Sequence, residues 1–243
     1  MIRLALIAIC AAGLAYLVIS VPAADASAPP AAVPRPETES SPQRWEKQIR
    51  SMEERMGLHP AAPNGVVFAG SSSIRLWNLA ESFPNMPAIN QGFGGSEISD
   101  SVHFYPRIIA PLRPSVIVLY AGDNDIARGK TADTVLQDFR SFVDIARMTD
   151  RKASILFISI KPSLSRWKLA PEMKKANSLI EDYCRQADGL RYVNVWDPML
   201  GTDGQPRGEL FLKDGLHLNA EGYQLWTSIL TPELRAASES VSR

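Results

Sequence analysis

The chain predicts a three-layer α/β/α domain built on a parallel sheet. Three observations carry this. Short apolar runs alternate with amphipathic stretches all the way from Val66 to Leu234. Runs such as Val116-Ile117-Val118-Leu119-Tyr120 are apolar at every position, as strands covered on both faces require. The runs at Val66 and Pro87 also lead into glycine turns, where a strand hands over to a helix. Strands that alternate with helices form parallel sheets through right-handed crossovers, with helices on both faces.

In order, Trp45 to Met56 is rich in Glu, Lys, Arg and Met and reads as a helix ending at Gly57, with Pro60 and Pro63 beyond. Val66 to Ala69 is a buried strand closed by Gly70, and Ile74 to Phe83 is helical. Pro87 to Asn90 is a short second strand, Ser96 to Ile109 a helix, and Val116 to Tyr120 the third strand. Thr131 to Met148 is an amphipathic helix whose apolar side carries Val135, Phe139, Phe142, Val143 and Ala146. Ser154 to Ile160 is the fourth strand. Pro171 to Ala187 is a helix opened by proline, whose missing N–H costs nothing in a first turn. Arg191 to Val195 is the fifth strand. Ala220 to Leu234 is the last helix, with Asn219 as its cap and Glu221 in its first turn.

Ahead of this domain the composition changes. Met1-Ile2-Arg3 is a basic head, Leu4 to Val21 is an uncharged apolar run, and Ala24-Asp25-Ala26 is a small-x-small site. Residues 1–26 therefore read as a secretory signal, with an uncleaved membrane anchor as the competing reading. Either reading exports the rest of the chain, to the periplasm or the medium in a bacterium, or tethered in the inner membrane by residues 4–21. Residues 27–43 hold five prolines among Ala and Ser and read as an extended linker, leaving 44–243 as the folded domain. Cys10 lies inside the apolar run, preceded by Ile9 rather than a small residue, and reads as an ordinary apolar residue rather than a lipidation site. Once it is cleaved away, Cys184 has no internal disulfide partner.

The 243 residues carry 26 basic and 26 acidic side chains, with no basic run interleaved with aromatics, which argues against nucleic acid as a partner. The three histidines, His59, His103 and His217, are scattered, and no metal-ligand spacing occurs, so no metal or other cofactor is expected.

Four short motifs carry the chemistry: Phe68-Ala69-Gly70-Ser71-Ser72-Ser73, Asn90-Gln91-Gly92-Phe93-Gly94-Gly95, Gly122-Asp123-Asn124-Asp125 and Asp214-Gly215-Leu216-His217. The first three each follow a strand, where reactive groups of such sheets collect, and the fourth lies in the loop before the last helix. Acyl transfer by serine needs a hydroxyl on a sharp turn, a base, a group that orients the base, and donors for an oxyanion. Ser72 at the start of a helix offers the hydroxyl and its own N–H; the plainer reading of the serine cluster is a helix cap. The glycine turn offers a second N–H, or is only a tight turn. Asn124 offers an amide, or forms an Asx turn. Asp123 and Asp125 read as turn-shaping or solvated. Asp214 and His217 have the spacing at which a carboxylate holds one ring nitrogen and leaves the other for a serine.

Taken together, these motifs resemble the SGNH superfamily, also called the GDSL lipase/esterase family, over Val66 to Leu234. The resemblance implies a flavodoxin-like sandwich with five parallel strands. It implies Ser72 as nucleophile, Asp214 as orienting acid and His217 as base, with Ser72, Gly95 and Asn124 forming the oxyanion hole. The family's first block usually reads Gly-Asp-Ser, whereas Ser71 stands here in place of the aspartate. That leaves Ser71, Ser72 and Ser73 as nucleophile candidates, and Ser72 is preferred because Gly70 and the aromatic Trp77 then keep their family offsets.

The function expected is an exported serine ester hydrolase that cleaves short-chain carboxylic esters through an acyl-enzyme. A carbohydrate or cell-wall O-acetyl esterase is the alternative, and a non-catalytic binding domain of the same fold a further one. Connections between elements are short, with no apolar insertion to act as a lid. Two longer loops, 161–170 and 196–213, frame the strand ends, and Arg166 and Trp167 are candidate substrate contacts there, beside the plainer reading of a surface loop.

Overall fold

The structure, a computed structural model, describes residues 42–58 and 64–241, all within the unit that runs from Pro34 to Arg243. The apolar segment 4–21 with Cys10, the cleavage site, residues 27–41 of the linker, His59, Pro60 and Pro63 lie outside the described residues.

A 3-10 turn at Pro42–Trp45 leads into α1 (Glu46–Leu58), which runs through Gly57 instead of stopping there. Then come β1 (Val66–Gly70), α2 (Ser72–Arg75), α3 (Leu79–Ser82), β2 (Ala88–Gly92), α4 (Ile98–Ile108) and β3 (Val116–Tyr120). These are followed by α5 (Asp123–Ala127), α6 (Ala132–Thr149), β4 (Ser154–Ile158), α7 (Ala170–Arg185), β5 (Leu190–Val193) and α8 (Ala220–Val241). The five strands form one parallel sheet in the order β2-β1-β3-β4-β5. This is the flavodoxin-like order, in which the chain reverses direction across the sheet between β1 and β3.

Strand periodicity sorts the core into two layers. Val67, Ala69, Ile117, Leu119, Ile155 and Phe157 share one cluster with Ile49 and Met52 of α1, Phe104 of α4, Phe139 of α6 and Met173 of α7. Val66, Phe68, Val116, Val118, Tyr120 and Leu156 point the other way, against Trp226, Leu230 and Leu234 of α8. Each large side chain buried in this way contributes about 1.5–3 kcal/mol. These three residues of α8 pack the C-terminal helix against the sheet.

Several boundaries differ from the sequence reading. The helix expected over Ile74 to Phe83 is split, because Trp77 turns inward to stack on Tyr223 with ring centroids 5.5 Å apart. Asn90 seals the break: its Nδ2 donates to the carbonyls of Ile74 at 2.7 Å and Trp77 at 3.2 Å, and Asn78 caps α3. Helix α4 begins at Ile98 behind a capping box in which Glu97 and Asp100 satisfy each other's backbone donors. β4 stops at Ile158 because Ile160 leaves the ladder to bond the Asn177 side chain, its N–H donating at 2.8 Å. β5 ends at Val193, since the N–H groups of Val195 and Trp196 donate to Ser159 Oγ. Asn219 caps α8, accepting from Gly222 N at 3.0 Å, and the helix continues past Leu234 to Val241.

Candidate active site

The site lies at the carboxyl ends of β1, β2 and β3, beside the chain reversal. β1 ends at Gly70, whose φ of +125° and contact with β3 leave no room for a side chain: a Cβ there would lie 1.9 Å from the Tyr120 carbonyl oxygen. The next N–H, that of Ser71, donates to the same oxygen at 2.9 Å. The chain therefore turns sharply and α2 starts at Ser72.

Three serines follow one another, and the turn separates them. Ser71 and Ser73 are buried, at 0% and 1% exposure, and the Ser71 hydroxyl is without a hydrogen-bond partner. Ser72 is partly exposed, and its Oγ lies 3.0 Å from His217 Nε2. The other ring nitrogen, Nδ1, lies 2.6 Å from Asp214 Oδ2. The second carboxylate oxygen accepts the N–H groups of Leu216 and His217, both at 2.9 Å. One carboxylate thus organises its own loop and the imidazole together. Gly215, at φ +62°, makes the bend between them. The His217 ring and then these two N–H groups hold the Asp214 carboxyl at about 2, below the usual carboxylate value.

The glycine turn and the Asn124 segment are tied to β1 directly. The Gly70 carbonyl accepts from Phe93 N at 2.9 Å and from Ser96 Oγ at 3.1 Å. The Ser96 carbonyl in turn accepts from Asn124 Nδ2 at 3.0 Å. Gly95 has φ +70°, and its carbonyl is held by Arg128 Nη1 at 2.8 Å, which sets the tilt of the peptide. Asn124 sits in the first turn of α5, not in an Asx loop, behind Gly122 at φ +114°. The structure thus brings together Ser72, Gly95, Asn124, Asp214 and His217, the five residues singled out in the sequence, around one end of the sheet.

Asp123 and Asp125 are not solvated; they are 4% and 0% exposed. Asp125 accepts from Ile98 N at 3.2 Å and from Lys130 at 3.0 Å, and so ties α5 to α4. Burial raises its pKa to about 6 against the pull of Lys130. Asp123 lies between two cations: Lys161 Nζ at 3.2 Å and Arg166 Nη1 at 3.0 Å. Burial works against its charge, yet the two cations outweigh it and hold its pKa below the usual carboxylate value. Burial has the upper hand at Lys161, whose pKa is lowered despite Asp123. Asp123 has a second cation, Arg166, beside it, whereas Lys161 has Asp123 as its close counter-ion and Arg166 as a repelling neighbour.

Lys161 escaped the sequence reading, although a lysine directly after an apolar strand is the signal that could have found it. Arg166 contacts Asn124 and Asp123, whereas Trp167 stacks on Trp196 with centroids 6.0 Å apart. Cys184 is buried and unpaired, its thiol pushed by burial up to about 12, so it contributes no thiolate at neutral pH. Among the described residues no cluster of acidic, histidine or cysteine side chains could hold a metal ion.

The model of the GDSL-like lipase/acylhydrolase family matches residues 75–225, more than half of the chain. The chain belongs to this family. The matched span includes Gly95, Asn124, Asp214 and His217 and begins three residues after Ser72. No curated protein sequence matches the chain. Solved structures do. A GDSL-like lipase from Bacteroides thetaiotaomicron shares 21% identity over 82% of this chain and 98% of its own, with a TM-score of 0.64. A Streptococcus pneumonia protein provisionally named as a platelet activating factor shares 19% identity over 81% of this chain and 96% of its own, at 0.72. A carbohydrate esterase family 3 protein from Talaromyces cellulolyticus shares 15% identity over 72% and 98%, at 0.58. At these identities the likeness is one of fold, and this chain carries the same parallel sandwich.

Proposed function

We propose that the chain is an exported serine hydrolase of short-chain carboxylic esters. The observation that carries this is the unbroken relay from Asp214 through His217 to Ser72, at 2.6 and 3.0 Å. In it, His217 Nε2 takes the Ser72 proton as Oγ attacks the ester carbonyl, and Asp214 fixes the tautomer and steadies the imidazolium. The developing oxyanion faces the N–H groups of Ser72 and Gly95 and the Asn124 amide. The imidazolium then protonates the departing alkoxide, and a water activated by the same imidazole releases the acid from the acyl-enzyme. No step calls for a metal. A fluorophosphonate probe should label the wild-type protein at Ser72, with parallel loss of p-nitrophenyl acetate hydrolysis. Unlabelled, inactive protein would favour a binding domain.

One observation favours the O-acetyl esterase reading as the second choice. A cleft of about 530 Å³ runs beside Ala220 and Leu76, between α3 and α8, lined by Asn78, Glu81, Ser82, Gln224 and Thr227. Tyr223, which also lines it, donates to the carbonyl of Ser73, next to Ser72, at 2.9 Å. Trp77 and Leu76 also line it, so polar groups stand beside an apolar floor, a mixture that suits a sugar ring with its hydroxylated edge and apolar faces, and an acetylated-sugar panel run beside simple esters distinguishes the two. Export rests on the apolar segment 4–21 and the site at Ala24-Asp25-Ala26; mass spectrometry should find a mature form beginning at Ser27, Ala28 or Pro29. An intact N-terminus in the membrane fraction would favour the anchor.

A further inference from the structure

An oxyanion-donating carboxamide has a weakness. Turned by half a rotation about its last bond, it presents oxygen instead of N–H, and repels the charge it should stabilise. Asn124 is held against this at both ends. Its Nδ2 donates to the Ser96 carbonyl at 3.0 Å, and its Oδ1 accepts from Arg166 Nη2 at 2.9 Å. Turned over, it would set donor against donor and acceptor against acceptor. The Ser96 end is neutral; the Arg166 end carries a full charge.

The guanidinium is itself fixed. Its other nitrogen, Nη1, is buried and faces Asp123 Oδ2 at 3.0 Å, off the line of a good hydrogen bond, so the contact is chiefly one of charge. Asp123 accepts the backbone N–H of Asn124 at 3.0 Å and the ammonium of Lys161 at 3.2 Å. Lys161, 1% exposed, also donates to Tyr120 Oη at 3.1 Å. The row Tyr120, Lys161, Asp123, Arg166 and Asn124 thus runs from the end of β3 to the oxyanion donor. Ser165, beside Arg166, donates its N–H to the Gly215 carbonyl at 3.1 Å, in the Asp214–His217 loop. The stretch from Lys161 to Arg166 therefore touches both halves of the machinery.

We infer that Arg166 is a positioning residue for ester hydrolysis, which locks the Asn124 carboxamide with its N–H toward the oxyanion and polarises it through Oδ1. The inference rests on the reading of Asn124 as an oxyanion donor. Arg166 itself need not touch substrate, because both its terminal nitrogens are committed to Asn124 and Asp123. The effect belongs to the transition state, when charge appears on the carbonyl oxygen, and so to kcat rather than KM.

A double-mutant cycle on p-nitrophenyl acetate, with active sites counted by fluorophosphonate, tests it. N124A should lower kcat by about 10²–10³, the usual cost of one oxyanion donor. R166A should lower kcat by about 10–100-fold, as for one charged hydrogen bond, with KM changed by less than about 2-fold. In the N124A background the same R166A change should cost less than about 3-fold, since nothing remains to position. R166K should recover part of the loss, because it restores the charge but not the planar fork. If R166A does not fold, R166K carries the cycle. An unchanged kcat in R166A, a loss confined to KM, or the same loss with and without Asn124 would overturn the inference while leaving the serine relay intact. An N124A enzyme with full kcat would remove the oxyanion role itself, and the positioning role with it.

Discussion

Ser72 Oγ and His217 Nε2 lie 3.0 Å apart although 145 positions separate them in the chain. Neighbouring serines do not share that contact: Ser71 and Ser73 are buried on either side. Ser72→Ala should therefore abolish both ester hydrolysis and fluorophosphonate labelling, while Ser71→Ala and Ser73→Ala keep most of each. Loss of labelling in Ser71→Ala or Ser73→Ala, with Ser72→Ala still labelled, would move the nucleophile.

Asp214 gives a prediction in pH. Its carboxyl is held at about 2 by the His217 ring and two backbone N–H groups. A carboxyl lowered on folding stabilises the native state above its unfolded pKa near 3.8, and that contribution fades as pH falls toward 2. The melting temperature of the wild type should thus drop more than that of Asp214→Asn between pH 4 and pH 2. The difference should be small, because the Asp214 side chain is 47% exposed and screened by water. Above pH 4 the Asp214 charge is constant, so it sets no limb of the activity profile at neutral pH. Asp214→Asn should lower kcat by about 10⁴ through the wrong imidazole tautomer. Parallel melting curves of the two proteins down to pH 2 would dismiss this account of the carboxyl.

At Gly70 the prediction concerns stability. The positive φ disfavours any side chain, and a Cβ would meet the Tyr120 carbonyl oxygen at 1.9 Å. Gly70→Ala should cost about 2–5 kcal/mol, adding backbone strain to overpacking. Chemical denaturation measures it. A loss under about 1 kcal/mol would show that the strand ends separate easily.

Chain-length preference follows from how open the relay is. The His217 and Asp214 side chains are 26% and 47% exposed. Leu76, Leu164 and Leu212, on the segments around them, are 42%, 47% and 50% exposed. An open rim buries little of a long acyl chain, whereas a tunnel would gain about 0.8 kcal/mol per methylene. The kcat/KM for p-nitrophenyl acetate should exceed that for p-nitrophenyl palmitate under matched detergent. Equal or better turnover of the palmitate would point to a lipase.

Alternation of fully apolar strands with amphipathic helices made the layers and the parallel sheet legible in the sequence, because burial on both faces leaves a strong mark at Val116–Tyr120 and Ser154–Ile158. What did not show were choices made by distant partners. The break at Trp77 depends on Tyr223, far along the chain, and on Asn90 in the next strand, while local propensity favoured one helix. The buried state of Asp123 depends on Lys161 and Arg166, some forty residues away. Charged residues near a glycine turn look solvated until their counter-ions are placed. For the site, the four motifs were visible as text; the groups that orient them, Ser96, Lys161 and Arg166, fit no motif.

The strand order puts β1 in the sheet before β3 to β5 exist, while the partner of its serine comes only with the last loop and α8. A ribosome that has released everything up to β5 has made a hydroxyl with no base. Pieces separated by a cut between Ser72 and His217 would likewise each lack half of the pair, and the pair would re-form only with α8 docked on Phe68, Val118 and Tyr120. The proposed esterase activity would therefore report on the completed molecule: a colour change with a simple ester would serve as an assay for the closure of the whole sheet, including segments that never approach the substrate.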